Sequence, residues 1–272
     1  MKNIFIILIL LTFLSLISNC NKDSTRVDET KAPEIPPAST FSMDYSYFSL
    51  AGSMVTQEAA DPPSNTNWLF AAVNVSVWSS LVTLATIIPA AAFVEAFNHD
   101  PVLQDDGSWL WSYSFVAQNI TYTANLYGAL EKLKVTWKMY ITKQGYYISF
   151  LWYSGESNLT GTTGQWLLNM NPAEPSPFLQ IGWNRSADNT TGDLKYTNII
   201  PADDDSSSYI FYAATSDTSY NRQFDLFSVV NSNTTEIRWH SINKNGRVRD
   251  PLHYSDNLWH CWGSARNDVE CP

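Results

Sequence analysis

The sequence predicts a mainly β (α+β) fold: a large curved antiparallel meander or barrel-like sheet of about ten strands, with one or two early helices packed on or inside it. Three observations carry this. From Gly107 onward, apolar and polar residues alternate with the period of a strand that has one wet face. The segments between alternating runs are rich in Gly, Asn, Asp, Ser and Thr, which suits hairpin turns. Before them, from Pro62 to Val94, runs an alanine-rich stretch with no charged residue.

In that stretch, Ser64 or Asn65 can cap a helix that starts near Trp68. Pro89 is expected to break it and to open a second, shorter helix through Phe97. Neither helix has a strongly polar face, so both are expected to be buried on most sides. Asn67, Asn74, Ser76, Ser79, Ser80, Thr83 and Thr86 interrupt the apolar run and weigh against a membrane span.

The strands follow. Trp109, Trp111, Tyr113 and Phe115 alternate with Leu110, Ser112 and Ser114; Ile120, Tyr122, Ala124 and Leu126 come next. Leu133, Val135, Trp137, Met139 and Ile141 alternate cleanly with Lys134, Thr136, Lys138 and Tyr140. Further candidates are Tyr146–Tyr153, Gln165–Met170, Phe178–Asn184, Asp193–Ile200, Tyr209–Ala214, Gln223–Val230, Glu236–Ile242 and Leu258–Trp262. Lys143-Gln144-Gly145 and Asn245-Gly246 are hairpin signals, the latter for a type I′ turn. A meander of this length should curl and hide its edges. A faint similarity between the segments 149–169 and 179–198 reflects repeated hairpin grammar.

At the other end, Lys2 precedes an apolar run from Ile4 to Leu11, continuing past Thr12 to Ile17, and Ile17-Ser18-Asn19 leads into Cys20. That order reads as an export signal. With the cysteine at the cut point, it resembles a bacterial lipoprotein signal, in which the cysteine becomes the lipidated N-terminus; Ile17 and Asn19 make the lipobox a relaxed one. The resemblance implies a signal peptide over residues 1–19, lipidation at Cys20 and a membrane partner through that lipid. The expected location is a bacterial cell envelope, at the outer membrane or cell surface. Residues 20–40 are polar and proline-bearing and are expected to form a flexible tether ahead of a single β-rich domain over residues 41–272.

If Cys20 carries lipid, Cys261 and Cys271 remain, and an even remainder in an oxidising compartment suggests a disulfide; two free thiols are the alternative. The net charge of -10 excludes nucleic-acid binding by phosphate neutralisation. The sequons at Asn74, Asn119, Asn158, Asn184, Asn189 and Asn233 are read as a consequence of composition.

No catalytic or cofactor-binding motif occurs, and no catalytic residue, metal ligand or cofactor is assigned. His99, His240, His253 and His260 are scattered; the acidic turns Asp105-Asp106-Gly107 and Asp203-Asp204-Asp205 are read as solvated. Tryptophans are abundant. Trp109, Trp111, Trp137 and Trp183 fall on the apolar parity of their strands and are assigned to the core, while Trp152 and Trp239 are the candidate ligand-binding rings.

The expected function is a membrane-anchored, non-enzymatic envelope lipoprotein that binds an apolar or amphiphilic ligand or a protein partner. Its architecture loosely resembles the periplasmic lipoprotein carrier and receptor proteins, in which a curved sheet with helices encloses acyl chains. The alternatives are a surface carbohydrate- or host-binding module with exposed rings, and an envelope hydrolase with convergent carboxylates or a Ser/His pair. A continuous apolar cavity between helices and sheet favours the first reading, and a planar row of exposed rings with a solid interior the second.

Overall fold

Fourteen antiparallel strands follow one another in strict meander order in the computed structural model, which describes residues 31–49, 64–188 and 190–272. They are β1 (Val102–Leu103), β2 (Trp109–Ala117), β3 (Ile120–Glu131), β4 (Lys134–Lys143), β5 (Tyr147–Asn158), β6 (Thr163–Asn171), β7 (Glu174–Arg185), β8 (Gly192–Asn198), β9 (Tyr209–Ala214), β10 (Arg222–Ser228), β11 (Asn233–Trp239), β12 (Gly246–Arg249), β13 (His260–Trp262) and β14 (Asp268–Val269). The sheet is open, with β1 and β14 as its edges. One long helix, α1, spans Thr66–Ala96. Cys20 and the apolar segment before it lie outside the described residues.

Alternation decides which face each strand buries. Val135, Trp137, Met139 and Ile141 of β4 point inward, as do Trp111, Tyr113 and Phe115 of β2. The inner face also follows a cross-strand rule. Gly128 lies opposite Trp137, Gly155 opposite Trp166, Gly164 opposite Trp183 and Gly246 opposite Trp262. A Cβ at these glycines would come within 2.7, 2.3, 2.3 and 2.2 Å of the ring atoms. The indoles therefore lie down across the neighbouring strand, which only a glycine permits.

Two elements fill the concave face in opposite directions. A strap over residues 31–48 crosses from β3 to β13. Pro33 sits at Gly128 and Pro36 at Gly161. The Thr40 hydroxyl accepts from Trp166 Nε1 at 3.2 Å. Tyr45 stacks on Phe224 of β10, and the Tyr47 hydroxyl accepts from Trp262 Nε1 at 2.9 Å. Residues 31–40 are thus part of the body and not of a tether as expected. Their prolines already hold extended backbone, so docking them costs little entropy.

α1 returns the other way. The Tyr113 hydroxyl of β2 donates to Ala92 O, while Asn67 Nδ2 donates to Cys261 O of β13 at 3.1 Å. Those two helical positions are about 38 Å apart along the axis. A flat sheet would separate β2 from β13 by about 53 Å. The helix can touch both only because the sheet curls around it.

Three expectations for α1 change. Pro89 does not break the helix, which runs through to Ala96. Proline in a helix interior costs about 3 kcal/mol, but ending there would unseat Ala92, Phe93 and Ala96, all fully buried. Nor is α1 buried on most sides: Trp68, Ala71, Ala72 and Val75 face inward, while Leu69, Val73, Val77, Leu81 and Leu84 are exposed. Its N-terminus takes no side-chain cap from Asn65. Asp268 of β14 supplies one instead, accepting from the N–H groups of Thr66 (3.1 Å) and Asn67 (3.0 Å) and from the Thr66 hydroxyl (2.7 Å). The Asn245-Gly246 signal also resolves differently. The positive φ falls at Lys244, inside the turn from His240 to Asn245, and Gly246 serves Trp262.

Asp268 sits in the loop between Cys261 and Cys271, whose sulfurs lie at disulfide distance, 2.10 Å. Burial opposes its ionisation, but hydrogen bonds from Ser64, Asn67 and Thr66 outweigh this and hold its pKa below the ordinary value. A lowered folded pKa stabilises the fold above the unfolded value of about 3.9, and that contribution is lost as pH falls through the lowered value. Asp268→Ala should cost about 1–2 kcal/mol at neutral pH. Urea denaturation at neutral and acidic pH checks this: the gap between wild type and variant should close in acid.

Candidate functional site

Aromatic side chains of the strap, the helix and the sheet meet across the interior. Phe41 of the strap stacks on Trp166 at 5.3 Å and lies 4.8 Å from Phe93 of α1. Phe93 in turn meets Trp166 edge-on at 5.3 Å, and Trp166 stacks on Trp183 at 5.0 Å. One apolar cluster runs from the strap through α1 to the inner faces of β2 to β13.

Both candidate rings belong to that packing or its margin. Trp239 stacks on Phe224 at 5.2 Å and on Tyr47 at 6.0 Å. Trp152 is buried against Phe150 and Tyr147. Neither presents a free ring face. The histidines are engaged too. His99 pairs with Glu95 and stacks on Tyr113, His253 stacks on Phe70, His260 pairs with Asp256 and stacks on Tyr254, and His240 Nδ1 accepts from Ile242 and Asn243. The acidic turns close on themselves: Asp106 accepts from Ser108, and Asp203 from Asn198 and Asp205. Among the described residues no group of three His, Cys, Asp or Glu side chains could hold a metal ion.

The surface is different. Where the strap crosses the lower ends of β7 to β10, a cleft of about 320 Å³ opens, lined among others by Met43, Asp44, Arg185, Asp193, Tyr212 and Arg222. Arg185 and Arg222 lie on the inward parity of β7 and β10, but at the strand ends, where that parity emerges at the rim. Arg185 Nη2 donates to Ser39 O at 3.0 Å and Arg222 Nη1 to Asn221 O at 2.8 Å.

Among the described residues, neither guanidinium has a carboxylate within ion-pair distance. Arg238 and Arg249, by contrast, pair with Asp225 and Glu236. Arg185 Nε is buried without a hydrogen-bond partner. Burial pulls the Arg185 pKa below its usual value, offset by the charges of Tyr212 and Asp193. Asp193 is pushed up by burial, partly countered by Asn184 and by Arg185. Burial likewise raises Tyr212, with Arg222 working against it. The cleft thus holds two partly desolvated cations with donors to spare, two flanking acids and the apolar walls of Met43 and Leu194. Such a site can take an anionic group by paired guanidinium hydrogen bonds.

A second depression shares Asp193 and lies on the outer face of the sheet. Its floor is Gly182, where an added Cβ would meet nothing within 4 Å. Beside it runs a ladder: Gln180 Nε2 donates to Gln165 Oε1 at 2.7 Å, and Gln165 Nε2 to Glu156 Oε1 at 3.2 Å. Lys195 and Phe211 form the far wall.

Comparison with family models, characterised proteins and solved structures finds no match for this chain. The two arginines escaped notice in the sequence because they sit three strands apart in the meander. Only their shared strand-end parity signals them, and that requires the register.

The placement of Trp239 has a direct consequence. Trp239→Ala should destabilise the fold by about 3–5 kcal/mol, as for a large core ring. Chemical denaturation measures this; a ring serving only as a surface platform would leave stability unchanged.

Proposed function

We propose that this chain is an exported, lipid-anchored envelope protein that binds an amphiphilic ligand, or a partner presenting an anionic group, at the cleft between the strap and the ends of β7 to β10. The observation that carries this reading is the convergence of Arg185 and Arg222 in one cleft where, among the described residues, no carboxylate lies within ion-pair distance of either. Asp193 acts on Arg185 only from beyond ion-pair distance, so hydrogen-bonding capacity remains for an anionic group. Arg185 Nε, buried and unpartnered, points the same way. The cleft is lined in part by the apolar Met43 and Leu194.

A surface carbohydrate module is the second reading, favoured by the outer trough over Gly182. The amide and carboxylate ladder of Gln180, Gln165 and Glu156 suits sugar hydroxyls, and Phe211 offers a ring for stacking.

Two experiments separate these elements. The native mature chain should carry acyl groups on Cys20, read as added mass by intact-protein mass spectrometry; an unmodified Cys20 overturns the anchor. Calorimetric titration with dodecyl phosphate below its micellar concentration should show binding that inorganic phosphate reproduces only weakly. Arg222→Gln should weaken that binding about tenfold or more. Binding that survives Arg222→Gln and Arg185→Gln together overturns the cleft, and a sugar ligand indifferent to both would establish the outer trough in its place.

A further inference from the structure

The helix α1 presents an apolar face to solvent. Between Thr66 and Val94 it carries no charged residue. Its inward face is built from Trp68, Ala71, Ala72, Val75 and Val82. Its outward face carries Leu69, Val73, Val77, Leu81 and Leu84, between 42% and 71% exposed. Successive members are three or four positions apart, so they form one stripe along the helix. A surface helix of a free-standing domain carries charged or polar residues there. This helix is instead long and apolar enough to cross a bilayer by length and composition, yet its other face is locked to the strap and sheet.

We propose that this stripe is a docking face for a lipid bilayer, and that it lays the body flat on the membrane to which the chain is tied. The proposal rests on the reading of Cys20 as the lipid anchor. Cys20 precedes Lys31, the first described residue, by eleven positions. Fully extended, that stretch reaches about 40 Å, while α1 itself is about 46 Å long. The body therefore cannot move farther from the lipid surface than the length of its own helix. Confinement at that distance gives a high effective concentration, so a weak apolar contact is well occupied.

Charge narrows the kind of contact. The stripe offers no cation, and a chain of net charge -10 gains nothing from anionic headgroups. Contact is by apolar insertion at the headgroup–acyl boundary, as for an interfacial helix. It should need no anionic lipid and should persist at high salt. Ser80 and Thr83, also on the outward face, are small and hydroxyl-bearing and sit readily at that depth.

The test uses the mature chain with Cys20→Ser, which has no acyl group. It should cosediment with unilamellar vesicles of phosphatidylcholine at low and at high salt, with no need of anionic lipid. The double variant Leu81→Ser/Leu84→Ser should lower the partition coefficient at least tenfold, with an unchanged melting temperature because both side chains are already exposed. Absence of vesicle binding, or binding that the double variant retains, overturns the proposal. So does a concentration-dependent dimer in sedimentation equilibrium that the double variant dissolves, since a second copy would then cover the stripe. The mass of the native mature chain reports on the anchor independently. An unmodified Cys20, with stripe-dependent vesicle binding intact, refutes the anchor and leaves the docking face standing. An acylated Cys20, with no contribution from Leu81 and Leu84, refutes the docking face alone.

Discussion

Four inward tryptophans, Trp137, Trp166, Trp183 and Trp262, lie across glycines of the neighbouring strand, and the rest of the structure depends on that arrangement. An indole standing upright on a sheet needs a deep space above it. An indole lying over Gly155 or Gly246 does not. The inner face becomes a shallow aromatic pavement that curls and holds, among the described residues, two crossing elements of different thickness, the extended strap and the helix α1. The strap fits because its contacts are rings and prolines laid against the pavement: Pro33 on Gly128, Phe41 on Trp166, Tyr45 on Phe224, Tyr47 against Trp239 and Trp262. Replacing any of these glycines would lift a ring and displace what lies above it.

The open sheet also explains the C-terminal architecture. A closed barrel fixes its own curvature, whereas an open meander needs its two ends held at a set separation. α1 is that spacer. Its C-terminal half is fixed to β2 through Tyr113, and its first turn to β13 and β14 through Asn67 and Asp268. Asp268 does three things at once: it terminates the helix, satisfies orphaned N–H groups and places a carboxylate at the positive end of the helix dipole. Cys261 and Cys271, whose sulfurs lie at disulfide distance, bracket the segment that delivers this carboxylate.

Much of this was legible in the sequence, and the exceptions have physical causes. Strands such as β4 were readable because one face is wet and the other buried, so Lys134, Thr136 and Lys138 alternate with Val135, Trp137 and Met139. The strap was hidden because its composition is that of a linker; the few rings that anchor it are spaced by the pavement beneath and follow no helical or strand period. Asn245-Gly246 imitated a turn signal because glycine was needed there for Trp262, a residue sixteen positions away. Pro89 was tolerated because tertiary packing on both sides outweighs a local defect. Trp152 and Trp239 could not be told from platform residues, since burial of a ring depends on what crosses above it. Arg185 and Arg222 were invisible as a pair until β7, β8, β9 and β10 were set in register.

The partition of labour inside the molecule follows from how the interior is used. The concave face of the sheet is lined with the chain's own aromatics, and the clefts described above lie at its surfaces. Those surfaces belong largely to the two filling elements. The strap contributes Ser39, Ser42, Met43 and Asp44 to the arginine cleft, and α1 contributes the apolar stripe. The strap is also the segment that leads back towards Cys20. A ligand bound between strap and sheet clamps the strap to β7 and β10, next to the hydrogen bond from Arg185 to Ser39. Engagement at the cleft therefore stiffens the strap where it crosses the ends of β7 to β10.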